Sequence, residues 1–550
     1  MPADLVILNA RTRPLFAPEG TTAIAVSEGL IVAIGDDTAI RAHITQTTHV
    51  IDAAGCELMP GFIESHLHLF MGGATLSMLN LAATFGFEDV RTAFHDFIRE
   101  NPGDEILFGY AVNYTIFGDD CRPDRHILDR ITADRPFCLI ATDLHCAWAN
   151  TRALDLAGIL HGADVGHGSE VVLGADGLAT GELREFEAMN RVKRLSRLKG
   201  RDGLEYPGLA PVSEEDRAHD RALIRLAGDY CARHGITTAV NMDGNPHQAG
   251  LMRDLAQKGE MAVRVSLPLC LVESHGPEGV ARIEAFGDEV PGWLGFGRIK
   301  LFLDGVYDTW TALTVSDYPD RPGYRAEALF APDIYNAICI EADRRGLQIT
   351  THAVGDGAVR AAIDGYEAAA KANGARDARH RIEHIDTITP EDLDRLKPLG
   401  IIASMQPVHP PGSAGLPLEP TITIMGRDRW PTAFPWRMIH DRDVPLAFGT
   451  DWPVSPISPL YAIHCALVRQ PWAADMPDQR LTLDECLAAY TTGGAYADFS
   501  ENRRGALRPG YDADLVLIDG ALAGLAISPD AAQVSVTICA GRTTYERPGQ

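Results

Sequence analysis

The chain has little positive charge and no long hydrophobic run. Its 550 residues include 49 Lys and Arg against 75 Asp and Glu, a formal net charge of −26. Binding to nucleic acid or to an anionic membrane surface needs clustered basic residues, so neither is expected as a main partner. The opening MPADLVILNARTRPL lacks the basic start and apolar core of a signal peptide, and no run reaches the roughly 20 apolar residues that cross a bilayer.

Cysteine pairs and two catalytic motifs are also absent. The ten cysteines form no CxxC pair, and several lie in apolar contexts such as PFCLIA and VTICAG. This pattern favours reduced, buried thiols in a cytoplasmic protein over disulfides or a zinc ribbon. Neither the GxGxxG turn of a dinucleotide site nor the GxSxG elbow of a serine hydrolase occurs.

The middle of the chain alternates apolar strand patterns with amphipathic helix patterns. The strand candidates are PGFIESHLHLF, PFCLIATDLH, GITTAVNM, GRIKLFLDG, LQITTHAVGD, HRIEHID, GIIASMQP and VPLAFGTDWP. Such alternation is typical of a parallel sheet in an α/β protein, and eight units predict a closed (β/α)₈ TIM barrel. An open, doubly wound sheet is the structural alternative.

The sequence predicts that the chain is divided into three parts. Residues 1–59 and 501–550 are β-rich and are expected to form one small β-sandwich from both termini. Residues 60–500 are expected to form the barrel. Within them, residues 75–230 are too long for two strand–helix units and contain turn-rich stretches, which predicts an insertion over the mouth of the barrel.

Polar residues capable of binding metal follow several of the predicted strands. Each has an ordinary alternative: a strand-end histidine is often only hydrogen-bonded, a lysine can snorkel, and an aspartate can cap a turn. Because barrel active sites form where the strands end, a shared position at that end favours a metal site. The candidate ligands are His66, His68, Lys300, His352, His384 and Asp451.

A family resemblance strengthens this interpretation. The segments PGFIESHLHL, TDLHCAWANTRAL, GELREFEA, GITTAV, IKLFLDG, THAVGDGAV, RIEHID and GTDWPVSP span nearly the whole chain. In these motifs the chain resembles the amidohydrolase superfamily, and within it the amidohydrolase-3 branch of YtcJ-like and N-substituted formamide deformylase-like proteins. The segment RPGYDADLVLID is similar to the closing segment of that branch.

The resemblance implies two divalent metal ions. The implied ligands are His66, His68 and Asp451 for one ion, His352 and His384 for the other, and a carboxylated Lys300 with a hydroxide between them. Two close cations repel and need an anionic bridge. A carbamate, formed from CO₂ and a neutral lysine, would supply one, and an apolar strand favours the neutral amine. Zinc suits this ligand set, and Mn²⁺, Fe²⁺, Co²⁺ and Ni²⁺ remain open.

The predicted reaction uses metal-activated water. Hydroxide attacks a polarised carbonyl, and Asp451 takes its proton and delivers it to the leaving amine. The segment TDLHCAWAN, placed after the second barrel strand, is expected to face the pocket, with Asp143 and Trp148 as substrate contacts. Its His145 is predicted to hold the carbonyl oxygen or the oxyanion. A purely structural turn is the alternative for this segment.

Four more residues are assigned roles around the pocket. Asp304 is expected to orient a ligand or contact substrate, and Glu185 to line the pocket, although a helix-borne glutamate is usually solvated. Asn241 and Asp243 occupy a position where relatives often have a His-Asp pair. Both are expected to line the pocket without touching the proposed ligands.

These features predict a metal-dependent hydrolase for a C–N bond in an amide, an N-formyl group or a cyclic amide of a small molecule. A hydrolase of carboxylic esters or carbamates would use the same site. A non-catalytic, ligand-binding or regulatory relative is the alternative from another class. The sequence leaves open whether the chain forms a homo-oligomer.

Overall fold

The computed structural model describes residues 2–103, 105–118, 121–166, 168–203 and 211–548. The described strands are β1 (Leu5–Leu8), β2 (Ala23–Ser27), β3 (Leu30–Gly35), β4 (His49–Asp52), β5 (Glu57–Pro60), β6 (Phe62–Leu67), β7 (Leu79–Asn80), β8 (Leu107–Val112), β9 (Phe137–Ala141), β10 (Cys146–Ala149), β11 (Glu170–Leu173), β12 (Ala179–Arg184), β13 (Ile236–Asn241), β14 (Arg264–Ser266), β15 (Leu269–Cys270), β16 (Leu294–Gly295), β17 (Arg298–Phe302), β18 (Gln348–Ala353), β19 (Arg381–His384), β20 (Ile402–Met405), β21 (Leu446–Phe448), β22 (Leu515–Gly520), β23 (Ala532–Cys539) and β24 (Arg542–Glu546).

The described α-helices are α1 (Asp37–Arg41), α2 (Leu69–Thr75), α3 (Phe87–Glu100), α4 (Arg125–Ile131), α5 (Thr151–Leu156), α6 (Glu185–Lys193), α7 (Glu214–Arg233), α8 (Pro246–Gln257), α9 (Pro332–Arg344), α10 (Asp356–Asn373), α11 (Pro390–Leu393), α12 (Thr421–Met425), α13 (Trp436–His440), α14 (Pro459–Val468), α15 (Leu483–Tyr490) and α16 (Thr492–Ala497). Short 3₁₀ helices lie at Glu273–His275, Pro277–Phe286, Tyr307–Thr309, Trp430–Thr432, Leu522–Ala526 and Pro529–Ala531.

The central strands are parallel and have a TIM-barrel-like arrangement, but their hydrogen-bonded ladder is not closed. Within the described residues they form a four-stranded sheet, β16-β14-β13-β6, and a six-stranded sheet, β15-β17-β18-β19-β20-β21. The break follows from Pro268, which has no N–H to donate and separates β14 from β15. At the other seam a single bridge joins Leu67 to Trp452. The prediction of a closed barrel is therefore wrong for this ladder, while the parallel α/β architecture is confirmed.

The segment before β13 forms a separate sheet. Strands β7 to β12 pair in the order β11-β12-β10-β9-β8-β7, inside the predicted insertion, which also includes residues 204–210 outside the described part of the chain. The placement of PFCLIATDLH as the second barrel strand is wrong, because β9 turns back to pair antiparallel with β10. The strand that pairs directly with β6 is β13.

The two ends of the chain form two four-stranded sheets. One contains β3-β2-β1-β4, and the other combines β24-β23-β22 with β5. Backbone hydrogen bonds join the ends, since Ile31 donates to the carbonyl of Tyr511 and Gly510 donates to that of Ile31. Face-to-face packing as a β-sandwich, and the three domain boundaries, stay predictions.

Two predicted absences can be compared with the described residues. All ten cysteines are free thiols, and eight of them are buried. None of the described helices combines the length and apolar character needed to span a lipid bilayer. The cytoplasmic location stays a prediction.

Candidate metal centre

The His-Leu-His motif of residues 66–68 lies where β6 ends and α2 begins. His66 is the penultimate residue of the strand and His68 is the N-cap residue of α2, and their ring centroids are 5.7 Å apart. Two glycines in α2 let this helix pack closely against its neighbours. A Cβ on Gly72 would come within 2.1 Å of the Trp452 ring, and one on Gly73 within 2.3 Å of the Leu223 carbonyl oxygen. The sequence HLHLFMGG therefore holds both imidazoles against the end of the last strand.

Asp451 brings its carboxylate between these two imidazoles. Its Oδ1 lies 3.3 Å from Nε2 of His66 and 3.1 Å from Nε2 of His68. The residue has a left-handed backbone, with φ of 59°, and its N–H donates to the His66 carbonyl at 2.7 Å. A non-glycine residue in this region costs of order 1–3 kcal/mol. The strained turn is what directs this carboxylate at both rings.

The opposite nitrogen of each imidazole is held by a buried carboxylate. Nδ1 of His66 donates to Glu383 at 2.6 Å, and Nδ1 of His68 donates to Asp243 at 2.9 Å. With the proton fixed on Nδ1, each Nε2 presents a lone pair. Two nitrogen lone pairs and a carboxylate oxygen thus point at one another, and Oδ1 of Asp451 has no aligned hydrogen bond. A cation would satisfy all three atoms.

Asp243 touches a proposed ligand, so the prediction that it does not is wrong, while Asn241 contacts only the backbone of the residue after His68. Asp243 pairs with His68, and Oδ1 of Asn241 accepts from the backbone N–H of Leu69 at 2.7 Å. The physical reason is the pairing of β13 with β6, which places the ends of these two strands side by side.

Electrostatics at this position favour positive charge. Burial alone would lower the pKa of His68, but the carboxylates of Asp243 and Asp451 raise it to about 9. Burial would likewise raise the pKa of Asp451, but the imidazoles, that of His66 foremost, hold it well below its usual range. A divalent cation carries the charge that these groups attract.

The other predicted ligands lie nearby, but the structure does not bring all of them together with His66, His68 and Asp451. His384 is 4.8 Å from His66 and 4.4 Å from His352, measured between ring centroids. Lys300 is completely buried, its Nζ makes no hydrogen bond to a described residue, and it lies 4.5 Å from the centroid of the Phe302 ring. Burial lowers the pKa of this lysine, which favours the neutral amine. Nε2 of His352 donates to the Gly305 carbonyl at 3.2 Å, which leaves the lone pair of this ring on Nδ1.

The sequence analysis missed His409, which follows β20. Within the described chain, two groups bring three potential ligand atoms within 4.8 Å of one another: His66, His68 and Asp451, and His384, His409 and Asp451. Gln406 was also missed, and its Oε1 accepts from Nδ1 of His384 at 2.9 Å. The signal was present, because QPVHPP follows a predicted strand as the other ligand motifs do.

His384, His409 and Asp451 border a cavity of about 360 Å³, and His66 and His68 lie beside Asp451 outside its lining. We use the name strand-end wall for His66, His68, His384 and Asp451, and insertion wall for Tyr114, Asp143 and His145, which lie in loops of the separate sheet and border the same cavity.

The insertion wall holds a second histidine–carboxylate pair. Nδ1 of His145 donates to Glu185 at 2.7 Å, and the Tyr114 hydroxyl donates to Asp143 at 2.9 Å. Burial opposes charge on His145, but the Glu185 carboxylate raises its pKa to about 9. Its ring centroid lies 5.6 Å from that of His352, so a protonated imidazole faces the metal-binding side of the cavity.

Three predicted substrate contacts lie behind the described cavity lining. Glu185 is 6 % exposed and supports His145. Trp148 is fully buried and packs edge-on against Tyr114. Asp304 accepts from the backbone N–H groups of Val354 and Gly355, so it fixes the loop after β18. A direct contact of these three with substrate stays a prediction.

Sequence comparison identifies relatives that match almost the whole chain. The model of the amidohydrolase family matches residues 49–545. The protein LONG AFTER FAR-RED 3 of Arabidopsis thaliana is 27% identical over 94% of this chain and 87% of its own length. "Putative amidohydrolase YtcJ" of Bacillus subtilis (strain 168) is 27% identical over 96% of each chain. N-substituted formamide deformylase of Arthrobacter pascens is 26% identical over 94% of this chain and 93% of its own.

A solved structure has the same fold. The uncharacterized metal-dependent hydrolase of Pyrococcus horikoshii OT3 superposes with a TM-score of 0.73 and 22% identity, covering 96% of this chain and 99% of that one. At this identity the likeness concerns the fold, which agrees with the TIM-barrel-like arrangement of the parallel strands.

Proposed function

This chain belongs to the amidohydrolase family, and we propose that it is a metal-dependent hydrolase that cleaves a carbon–nitrogen bond of a small molecule. The bond belongs to an amide, an N-formyl group or a cyclic amide. One observation carries the proposal: the lone pairs of His66 and His68 and an oxygen of Asp451 meet at one buried point. A divalent cation at this point would satisfy all three donor atoms and compensate the negative charge of the carboxylates.

The donor set fits a divalent metal ion of the zinc type. Two neutral imidazoles and a carboxylate would hold the first ion, with Glu383 and Asp243 orienting the rings from behind. Lys300 is proposed as the source of an anionic bridge to a second ion, after its uncharged amine has reacted with CO₂. Its burial and its unpaired Nζ support that proposal.

The bound metal would supply Lewis acidity, polarising the substrate carbonyl and lowering the pKa of water. Asp451 then accepts the proton of the attacking water on its free carboxylate oxygen and transfers it to the leaving nitrogen. His145 lines the cavity as an imidazolium and donates a hydrogen bond to the oxygen that becomes negative. The buried Glu185 keeps that proton on the ring.

The substrate class rests on two supports. The cavity holds only a small molecule, and one relative is named for the deformylation of N-substituted formamides. We therefore place N-formyl and N-acyl amines first among candidate substrates. An ester or carbamate would be attacked by the same groups, and comparison of matched amide and ester pairs separates these activities.

Metal analysis combined with a substrate screen tests the proposal. Protein purified without chelators should contain a transition metal, hydrolyse at least one N-formyl or N-acyl amine, and lose activity on chelation in a way that zinc restores. The Asp451→Asn variant is the matched control for contaminating hydrolases. A wild-type protein without metal would contradict the proposal. Tight metal binding without turnover of amides, esters or lactams would instead favour a ligand-binding or regulatory role.

A further inference from the structure

The side chain of Glu185 joins the insertion sheet to the parallel strands. Within the described residues, β7 to β12 form their own hydrogen-bonded sheet and pair with none of the parallel strands. On the insertion side, Oε2 of Glu185 accepts from Nδ1 of His145 at 2.7 Å. On the other side, Oε1 accepts from the hydroxyl of Thr311, also at 2.7 Å. One buried carboxylate therefore bonds to both parts of the molecule.

The hydrogen bonds around Thr311 have a fixed direction. The backbone N–H of Val306 donates to its Oγ1 at 2.9 Å, and the hydroxyl of Thr309 lies 2.6 Å from the same atom. An ionised carboxylate can only accept, so the one hydroxyl proton of Thr311 is directed to Glu185, and Thr309 donates to Thr311. Thr309 itself is 3.5 Å from Oε1 of Glu185, at the limit of a hydrogen bond. Thr311 is therefore the main donor to this oxygen.

The backbone is shaped to allow this contact. Glu185 has a left-handed conformation, with φ of 62°, which is unfavourable for a residue other than glycine. Its N–H donates to the carbonyl of His145 at 2.9 Å. Residue 305 is a glycine, and a Cβ there would overlap Oγ1 of Thr311 and Oε1 of Glu185. A strained residue on one side and a missing side chain on the other bring the two groups together.

The loop that supplies Thr311 also contacts a predicted metal ligand. We use the name spacer loop for residues 305–311, which follow β17. The carbonyl of Gly305 accepts from Nε2 of His352 at 3.2 Å, and the N–H of Gly305 donates to the carbonyl of Thr311 at 3.1 Å. The rings of His352 and His145 both line the cavity, with centroids 5.6 Å apart. One short loop thus holds His352 at its first residue and the support of His145 at its last.

We propose that Thr311 is a positioning residue, whose hydroxyl acts through Glu185 to set the orientation of His145 relative to the metal-binding side of the cavity. Thr311 does not belong to the described cavity lining, so it acts through another side chain and not by touching the substrate. Its effect on catalysis rests on the proposed function, whereas its effect on the His145 ring does not.

Proton NMR of the full-length protein tests the orientation without any substrate. The Nδ1 proton of His145, bonded to a carboxylate, should give a downfield resonance that is missing from His145→Gln. Thr311→Val, which keeps the shape and removes the hydroxyl, should shift this resonance, and Thr311→Ser should restore it. Thr537→Val is the matched control, because its buried hydroxyl donates to the Ala232 carbonyl at 2.7 Å and lies outside the described cavity lining.

Hydrolysis of the substrate found in the screen gives the catalytic test. Thr311→Val should lower kcat by about fivefold at unchanged KM, as expected when a group stabilises only the transition state. Residues that act as a unit have non-additive effects. The combined Thr311→Val and Glu185→Gln variant should therefore be no slower than Glu185→Gln alone, and Thr311→Ser should keep the wild-type kcat.

The outcomes separate this inference from the proposed function. An unchanged His145 resonance in Thr311→Val would overturn the positioning role at any level of activity. Losses of kcat that multiply in the combined variant would overturn it as well and leave the hydrolase proposal standing. A shifted resonance in a protein that hydrolyses no amide or ester would support the positioning role and contradict the proposed function. Circular dichroism checks folding, and Thr311→Ala replaces the valine variant if that variant does not fold.

Discussion

The strand-end wall and the insertion wall use the same chemical unit, a buried imidazole hydrogen-bonded to a carboxylate, in two different ways. His66 donates to Glu383 and His145 donates to Glu185, at 2.6 and 2.7 Å. The second nitrogen of His66 meets the carboxylate of Asp451 beside another lone pair, whereas that of His145 faces the cavity with no such cluster of described residues around it. In the proposed function, one carboxylate prepares a metal ligand and the other keeps a proton on a hydrogen-bond donor.

The largest effect is expected from removing the shared carboxylate of the strand-end wall. Asp451→Asn should lower kcat by about 10²–10⁴-fold, the usual contribution of a positioned proton-transfer group, because the amide cannot accept the proton of water. Hydrolysis of the substrate found in the screen measures the effect. Asp443→Asn, at an exposed residue that pairs with Lys397, is the control. Activity near that of the control would remove Asp451 from proton transfer.

The next effect concerns the support behind His66. Glu383→Gln should weaken metal binding by about 10–100-fold, as supporting carboxylates generally do. The completely buried Arg381, now bonded to Glu383 at 2.9 Å, would also lose its anionic partner. Breaking a buried ion pair costs about 3–5 kcal/mol in unfolding free energy.

Metal titration and urea unfolding measure both effects of this substitution. Glu341→Gln provides the comparison, since Glu341 pairs with arginines at the surface and such pairs contribute about 0–1 kcal/mol. Equal unfolding free energies for the two variants would show that the Glu383 pair does not stabilise the strand-end wall.

A smaller effect is expected from the corresponding change in the insertion wall. Glu185→Gln should leave the metal content unchanged and lower kcat by about tenfold, less than the loss of a whole oxyanion donor. The pH dependence of activity provides a second measurement. In the proposed reaction only the protein with a protonated His145 is active, so wild-type activity should fall as the pH rises through about 9.

In the variant, that fall should move towards pH 6.5, the ordinary pKa of histidine, because the carboxylate that favours the charged ring is gone. Loss of metal from Glu185→Gln would erase the distinction between the two walls. An unchanged alkaline limb would show that His145 does not need its proton.

The two walls also differ in what the sequence can predict. His66, His384 and Asp451 follow from topology, because the ends of parallel strands meet at one edge whatever the details of packing. His145 follows from the motif TDLH alone, and its predicted location after the second barrel strand is wrong, since β9 belongs to the insertion sheet. The hydrophobic periodicity of the sequence does not predict how a separate sheet packs against the barrel strands.

The same error explains the misjudged Asp243. If β9 is counted as a barrel strand, β13 becomes the third strand, and the end of β13 is then no longer expected beside the His-Leu-His motif. The observed pairing of β13 with β6 places Asp243 against His68. His409 was missed although it follows a predicted strand, because the family resemblance supplied a complete ligand set without it.

The smallest effect concerns the charge of the cavity between the walls. Asp308 and Asp386 line it, while its described lining includes neither lysine nor arginine. Burial and neighbouring carboxylates raise the pKa of Asp386 well above its usual range, so ionisation of this group is unfavourable until a cation approaches and stabilises the anion. An N-formyl diamine should therefore have a lower KM than an N-formyl amino acid of equal length.

Asp386→Asn should reduce that preference by about fivefold, or ~1 kcal/mol, while Asp364→Asn, at an exposed helix position, should not. If the anionic compound has the lower KM, the cavity's charge does not govern selection.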